Sequence, residues 1–333
     1  MKKILLVFLV LFVVAFFVRD RFDGFFIGEV VFEENKEMLS QDFGNINVYF
    51  CPQEDCENIL LREIEDSNLV YCAFFDLNLE SVIEAIRLKE HKLIIDDANF
   101  DKVEMDFVRK DGKQGLMHNK FCILDGSKVV TGSMNPTKNG VSRNNNNLVL
   151  IESRTLADNY LDEFNEMWGG SFGKGDKVRN PRVMFNSFLI ENLFCPDDGC
   201  ENRVIEILNG AKGRIYFMTF SFTSDGIGEE IIKNYHYGVD IKGVFERTQA
   251  GSKYSEYEKF KELGMDVKLD VNKGAMHHKV FIVDDIVVFG SYNPSKSGDS
   301  KNDENVLIVH DSSVAGLFVE EFERVYGLGE IED

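Results

Sequence analysis

The second half of this chain rewrites the first, and that duplication constrains the fold more than any other feature. Tyr49-Phe50-Cys51-Pro52 returns as Leu193-Phe194-Cys195-Pro196, and Cys56-Glu57-Asn58 returns as Cys200-Glu201-Asn202. The stretch Leu69–Phe75 matches Arg214–Phe220; both read as strands from their β-branched and aromatic content. Helix-like segments follow at Leu79–Leu88 and Ile227–Asn234, then strands at Lys92–Asp96 and Ile241–Glu246. Each half closes on an apolar stripe at helical spacing: Leu156, Tyr160, Phe164 and Met167 in the first, Val314, Phe318, Phe322 and Val325 in the second.

Strands alternating with helices imply an α/β unit around a largely buried sheet. A chain of 333 residues suits two such units of about 150 residues each. The join falls at the glycine-rich break Gly169–Gly175. The expected division is residues 1–24 as an anchor or signal segment, 25–45 as a stalk ending in a strand, 46–175 as the first repeat and 176–333 as the second.

The most alike stretches carry the chemistry. Met117-His-Asn-Lys-Phe-Cys-Ile-Leu-Asp125 pairs with Met276-His-His-Lys-Val-Phe-Ile-Val-Asp284. Gly132-Ser-Met-Asn-Pro pairs with Gly290-Ser-Tyr-Asn-Pro, and Asn144-Asn-Asn-Asn147 with Asn302-Asp-Glu-Asn305. In a strand, alternate side chains share a face, so His118 and Lys120 point the same way, as do His277 and Lys279. Asp125 and Asp284 have the opposite parity at the strand end and are read as structural anchors. A single H-x-K-x4-D is a weak signal; two, each followed by Gly-Ser-x-Asn-Pro, are a strong one. The remaining histidines, His91, His236, His278 and His310, read as structural or merely exposed.

With these motifs, residues 46–328 resemble the phospholipase D superfamily, in the manner of its small bacterial endonucleases and its cardiolipin-hydrolase-like branch. Such proteins usually carry one motif and dimerise; this chain resembles such a dimer fused into one polypeptide. The resemblance implies two tandem phospholipase D-like α-β-α sandwich repeats related by a pseudo-twofold, with one active site at their junction and an N-terminal hydrophobic helix. It also implies that each residue at the Glu position of Asn-x-Glu-Asn holds the histidine of the opposite half. Glu304 would then hold His118, and Asn146 would hold His277.

The elementary chemistry agrees. Displacement at a phosphodiester needs a nucleophile, an acid for the leaving oxygen and cations or donors for the nonbridging oxygens. Two histidines supply the first pair near neutral pH. Lys120 and Lys279 supply charge, Asn135 and Asn293 neutral donors, and Ser133 and Ser291 either shape the turn or touch phosphate. A carboxylate behind an imidazole orients it and stabilises its developing charge, which makes His118 the expected nucleophile and His277 the expected acid. No metal or cofactor is expected, and both half-sites lie in one chain, so the catalytic unit is expected to be monomeric.

Three features bear on setting. Residues 4–18 are unbroken apolar after Lys2 and Lys3, without a small-x-small cleavage site behind them. A bilayer core takes about 20 residues. The segment therefore reads first as an uncleaved anchor, then as a cleaved signal leaving a secreted protein, and last as a buried helix. Its layout favours a catalytic part outside the cytoplasm. Cys51 with Cys56, and Cys195 with Cys200, read as two small disulfide rings, with reduced thiols and a zinc site as the other readings. Cys72 and Cys122 read as plain core. The net charge of -20 counts against tight nonspecific nucleic-acid binding without excluding a locally basic cleft. Two substrates fit the motifs: nucleic-acid phosphodiesters, preferred on motif context, and phospholipid headgroups. A catalytically dead binding module is the reading from another class, disfavoured because all four motif histidines and lysines are present.

Overall fold

The computed structural model describes residues 39–329 except 104, 113 and 114. The expected anchor and most of the stalk lie outside the described residues. Among the described residues, no helix is long and apolar enough to cross a membrane.

The first half runs β1 (Ser40–Asp42), β2 (Ile46–Cys51), α1 (Cys56–Glu65), β3 (Leu69–Phe74), α2 (Glu80–Arg87), β4 (Glu90–Ile95), β5 (Val108–Lys110), β6 (Lys120–Leu124), β7 (Lys128–Gly132), α3 (Lys138–Ser142), β8 (Asn146–Glu152) and α4 (Arg154–Gly169). The second runs β9 (Arg182–Phe185), β10 (Phe188–Cys195), α5 (Cys200–Asn209), β11 (Arg214–Thr219), α6 (Asp225–His236), β12 (Asp240–Phe245), α7 (Arg247–Ala250), α8 (Tyr257–Glu262), β13 (Asp266–Leu269), β14 (Lys279–Val283), β15 (Ile286–Gly290), α9 (Lys296–Ser300), β16 (Glu304–His310) and α10 (Ser312–Leu328).

The first sheet is ordered β2-β8-β7-β6-β3-β4-β5 and the second β1-β9-β10-β16-β15-β14-β11-β12-β13. Position by position the two orders correspond, so the internal repeat is a repeat of topology. The second sheet has two extra edge strands. One of them, β1, pairs in parallel with β9 and comes from residues the sequence reading gave to the stalk. Asp42 at its end accepts hydrogen bonds from Ser153 Oγ (2.6 Å) and the Thr155 amide (2.9 Å), tying the strand to the start of α4.

Three apolar cores fill the structure. One packs α1 and α2 on the first sheet. A second packs α5, α6 and α8 on the second sheet. The third joins the halves: Leu156, Tyr160 and Phe164 of α4 and Val314, Phe318 and Phe322 of α10 meet residues of both sheets. The closing amphipathic helix of each repeat therefore lies between the sheets, its stripe burying at about 25 cal/mol per Å² of apolar surface removed from water. Ser153 caps α4 by accepting from the Leu156 amide (3.1 Å), and Asp311 caps α10 by accepting from the Val314 amide (2.9 Å).

The small rings Cys51–Cys56 and Cys195–Cys200 are disulfides. The reading of Cys72 and Cys122 as plain core needs correction: they are buried, and they are also bonded to each other. The reason is strand register. β3 and β6 are antiparallel neighbours in which Cys72 stands directly opposite Cys122, a pairing that sequence spacing does not reveal.

Candidate active site

His118 and His277 each sit just ahead of a central strand, β6 and β14. The segments before them cross to the other half. Met117 bridges to Asp303 and Met276 to Asn145, and the His118 and His277 amides donate to the carbonyls of Asp303 (3.0 Å) and Asn145 (2.8 Å). This reciprocal exchange brings both motifs to one place at the pseudo-twofold junction.

His118 Nδ1 lies 2.8 Å from Glu304 Oε2, which also accepts from Ser291 Oγ (2.7 Å). His277 Nδ1 lies 3.0 Å from Asn146 Oδ1 and 3.0 Å from the Ser133 carbonyl. The Asn146 amide nitrogen donates to the Gly140 carbonyl (2.8 Å), which fixes its oxygen toward the histidine. With only acceptors around each Nδ1, both rings carry their proton there when neutral, and Nε2 holds the lone pair. The two halves thus differ in one respect: a carboxylate stands behind His118 and an amide behind His277, the cross-half contacts that the resemblance implied.

Lys120 Nζ donates to the His118 carbonyl, and Lys279 Nζ to the His277 carbonyl at 2.9 Å. Lysine and histidine share a face in each half, as strand parity requires. Phe75 and Phe220 complete the walls. Each meets its histidine edge-on at 5.0 and 4.8 Å and lies under its lysine at 5.1 and 5.0 Å. The sequence reading missed both, although they occupy the same position of the repeat.

Burial governs the charges. The two histidines are 6% and 8% exposed, the lysines 2% and 3%, and Glu304 is fully buried. Burial, then the neighbouring lysines, hold both imidazoles well below their ordinary value. Burial also lowers Lys120 to about 7 and Lys279 well below its usual range, and raises Glu304 to about 7. A bound phosphodiester anion would favour the cationic forms of these lysines and histidines.

The remaining motif residues are supports. Asp125 accepts from the amides of Asn68 (2.9 Å) and Leu69 (2.8 Å), and Asp284 from those of Lys212, Gly213 and Arg214 (2.8–2.9 Å). Both stand at positive φ, at 49° and 51°, in the hairpin turn that follows the strand. Each pins the start of the neighbouring strand, β3 or β11. Ser133 and Ser291 are fully buried and accept from the amides of Asn147 and Asn305. They shape the site from behind. Gly132 and Gly290 permit that turn, because a Cβ there would lie 2.4 Å from the Asn147 carbonyl oxygen or 2.2 Å from that of Asn305. Asn135 and Asn293 are half-buried, and the amide oxygen of each has no hydrogen-bond partner among the described residues.

A second polar layer escaped the sequence reading. Asn305 Nδ2 donates to Asn119 Oδ1 (2.8 Å), and in the matching place Asn147 Nδ2 lies 3.1 Å from His278 Nδ1. His278 is buried, with Nε2 3.0 Å from Glu321. The residue between His and Lys in each motif thus ties its strand to the opposite half. Among the described residues, no group of three or more His, Cys, Asp or Glu could hold a metal ion.

Comparisons agree with this geometry. The family described as "Cardiolipin synthase, PLD-like domain" matches residues 78–168 and 204–326. A mitochondrial cardiolipin hydrolase of Chlamydomonas reinhardtii is 24% identical over 165 residues, 42% of this chain and 74% of that protein. A phospholipase D of Rickettsia typhi is 27% identical over 132 residues, 39% of this chain and 65% of that protein, so the chain spans just under two thirds of that relative. The phosphatidylserine synthase of Haemophilus influenzae Rd KW20 shares the fold over 86% of this chain and 87% of its own, with a TM-score of 0.63 at 12% identity. The doubled His-Lys motifs, the repeated sheet topology and a family match reaching into both halves agree: the chain belongs to the phospholipase D superfamily of phosphodiester hydrolases.

Proposed function

We propose that the chain hydrolyses phosphodiesters through a covalent phosphohistidine on His118, and that its substrates are nucleic-acid phosphodiesters. The observation that carries the assignment is the unequal backing of the two rings, Glu304 behind His118 and Asn146 behind His277. In the first step His118 Nε2 attacks phosphorus, the bond to the leaving oxygen breaks, and protonated His277 gives that oxygen its proton. Glu304 stabilises the charge that develops on His118. Lys120 and Lys279, with Asn135 and Asn293, meet the nonbridging oxygens. In the second step His277 takes a proton from water, the water oxygen bonds to phosphorus, and the P–N bond breaks to regenerate His118.

Arg143, Arg247, Lys273 and Asn272, which share with Glu246 and Asp270 a cleft at the segment leading into His277, support a polyanionic, water-soluble substrate. The family description and the names of the relatives favour a second reading, hydrolysis of phospholipid headgroups. Three disulfides support a catalytic part in an oxidising compartment. The deciding experiment takes residues 25–333 with single-stranded DNA, RNA and phospholipid in EDTA. Cleavage of DNA or RNA is expected. Turnover of phospholipid alone would replace this reading with the second, and no turnover of any of them would reject both.

A further inference from the structure

The two approaches to the site are built alike and charged differently. A cleft of about 490 Å³ lies at the segment that leads into His277. Its wall includes Ala275, two residues ahead of His277, and Asn144, two ahead of the Asn146 that contacts His277; the Ala275 amide donates to Asn144 Oδ1 at 3.0 Å. Arg143, Arg247 and Lys273 line this cleft and are exposed. Its two carboxylates are engaged with backbone donors: Glu246 accepts from the Gln249 amide (2.7 Å), and Asp270 from the amides of Arg247 (2.8 Å) and Asn272 (3.1 Å).

The matching approach, beside His118, repeats the backbone and the signs at three places but inverts the charge at one. There the Asp97 amide donates to Asp111 Oδ1 (2.9 Å), as the Arg247 amide does to Asp270. An aspartate therefore stands where the other half has Arg247, and it faces Lys110 at 3.2 Å. Asp96 takes the place of Glu246, and Lys301 that of Arg143. A homodimer has two identical approaches by symmetry; this single chain does not.

We propose that the cleft at the segment leading into His277 is a subsite for a second phosphate, carried by the leaving group. The proposal rests on the phosphodiesterase reading above, in which His277 protonates the leaving oxygen and so marks the side on which that group departs. Arg247 on that side and Asp97 at the matching place on the other orient a chain of phosphodiesters in one direction across the pseudo-twofold. The substrate class that fits is a diester whose departing half bears another phosphate, such as an oligonucleotide.

The test uses the full chain in nonionic detergent with three thymidine dinucleotides: unmodified, 5′-phosphorylated and 3′-phosphorylated. One phosphorylated isomer is expected to gain about tenfold in kcat/KM over the unmodified one, since each exposed cation contributes about fivefold or less. Product analysis should show that its extra phosphate leaves with the departing nucleoside. Arg143→Gln with Lys273→Gln should abolish the gain, added salt should shrink it, and Lys301→Gln should leave it intact. Equal gains for both isomers, or a gain that survives the double substitution, would overturn the subsite. If no dinucleotide is cut while bis(4-nitrophenyl) phosphate is, the nucleic-acid reading fails, and the subsite is judged on cardiolipin against phosphatidylglycerol in mixed micelles. A preference for cardiolipin that needs Arg143 and Lys273 sustains it there, and parity overturns it.

Discussion

Removing the Cys72–Cys122 bridge should destabilise the protein more than removing either small ring. All six cysteines are almost fully buried, so replacement by alanine loses similar packing in each case, and the difference lies in the loops closed. The bridge joins residues 50 apart, whereas each ring joins residues 5 apart. With a loop-closure entropy of about −2.1 − 1.5R ln n cal/mol/K, the long loop is worth about 4 kcal/mol and each short ring about 2 kcal/mol at 25 °C. The double substitution Cys72→Ala/Cys122→Ala should therefore lower the unfolding free energy by about 2 kcal/mol more than Cys51→Ala/Cys56→Ala. The bridge also lies in the strand pair that presents the site, two positions along β6 from Lys120. Guanidinium unfolding of the oxidised variants, followed by far-ultraviolet circular dichroism, measures the difference. Equal losses, or a larger loss for the small ring, would refute the loop argument. Native protein whose cysteines all alkylate without reduction would remove its premise.

Other expectations follow from the site. With an activated nitrophenyl diester, His277→Ala should form the covalent adduct and stall before hydrolysis, whereas His118→Ala should form none; intact-mass measurement decides, and an adduct on His277 alone would reverse the roles. Glu304→Gln should lower kcat by about 10²–10⁴-fold, whereas Asn146→Ala should cost less, and steady-state kinetics of the pair tests that order. Activity should persist in EDTA and elute at the monomer position in size exclusion, because the paired histidines and lysines all lie in one chain; reversible loss on chelation, or activity only in a dimer, would contradict it. Because burial lowers Lys120 to about 7 and Lys279 well below its usual 10.5, the unfolded chain binds more protons than the folded one above that pH. In phosphate-free buffer, stability should therefore rise with pH from about 7 toward 10. Lys120→Met should flatten that rise in denaturant titrations, and an unchanged slope would count against the buried, neutral lysine.

Much of this protein is local in origin and was readable from its sequence. The duplication, the alternation of strands and helices, the shared face of His118 with Lys120 and the opposite parity of Asp125 all follow from neighbouring residues and the two-residue period of a strand. The tertiary structure decided what depends on register and on contact between the halves. Strand spacing could not tell a buried thiol from a disulfide, because only the pairing of β3 with β6 sets Cys72 against Cys122. His278 looked like one more structural or exposed histidine, yet its partners Asn147 and Glu321 lie 131 and 43 residues away. The contrast between Arg247 and Asp97 became a difference between two approaches to one site only once the repeats were seen to share a backbone there. Side-chain periodicity is set by the chain's own geometry, whereas partners and local field are set by whatever the fold brings near, and a repeat preserves the first far better than the second.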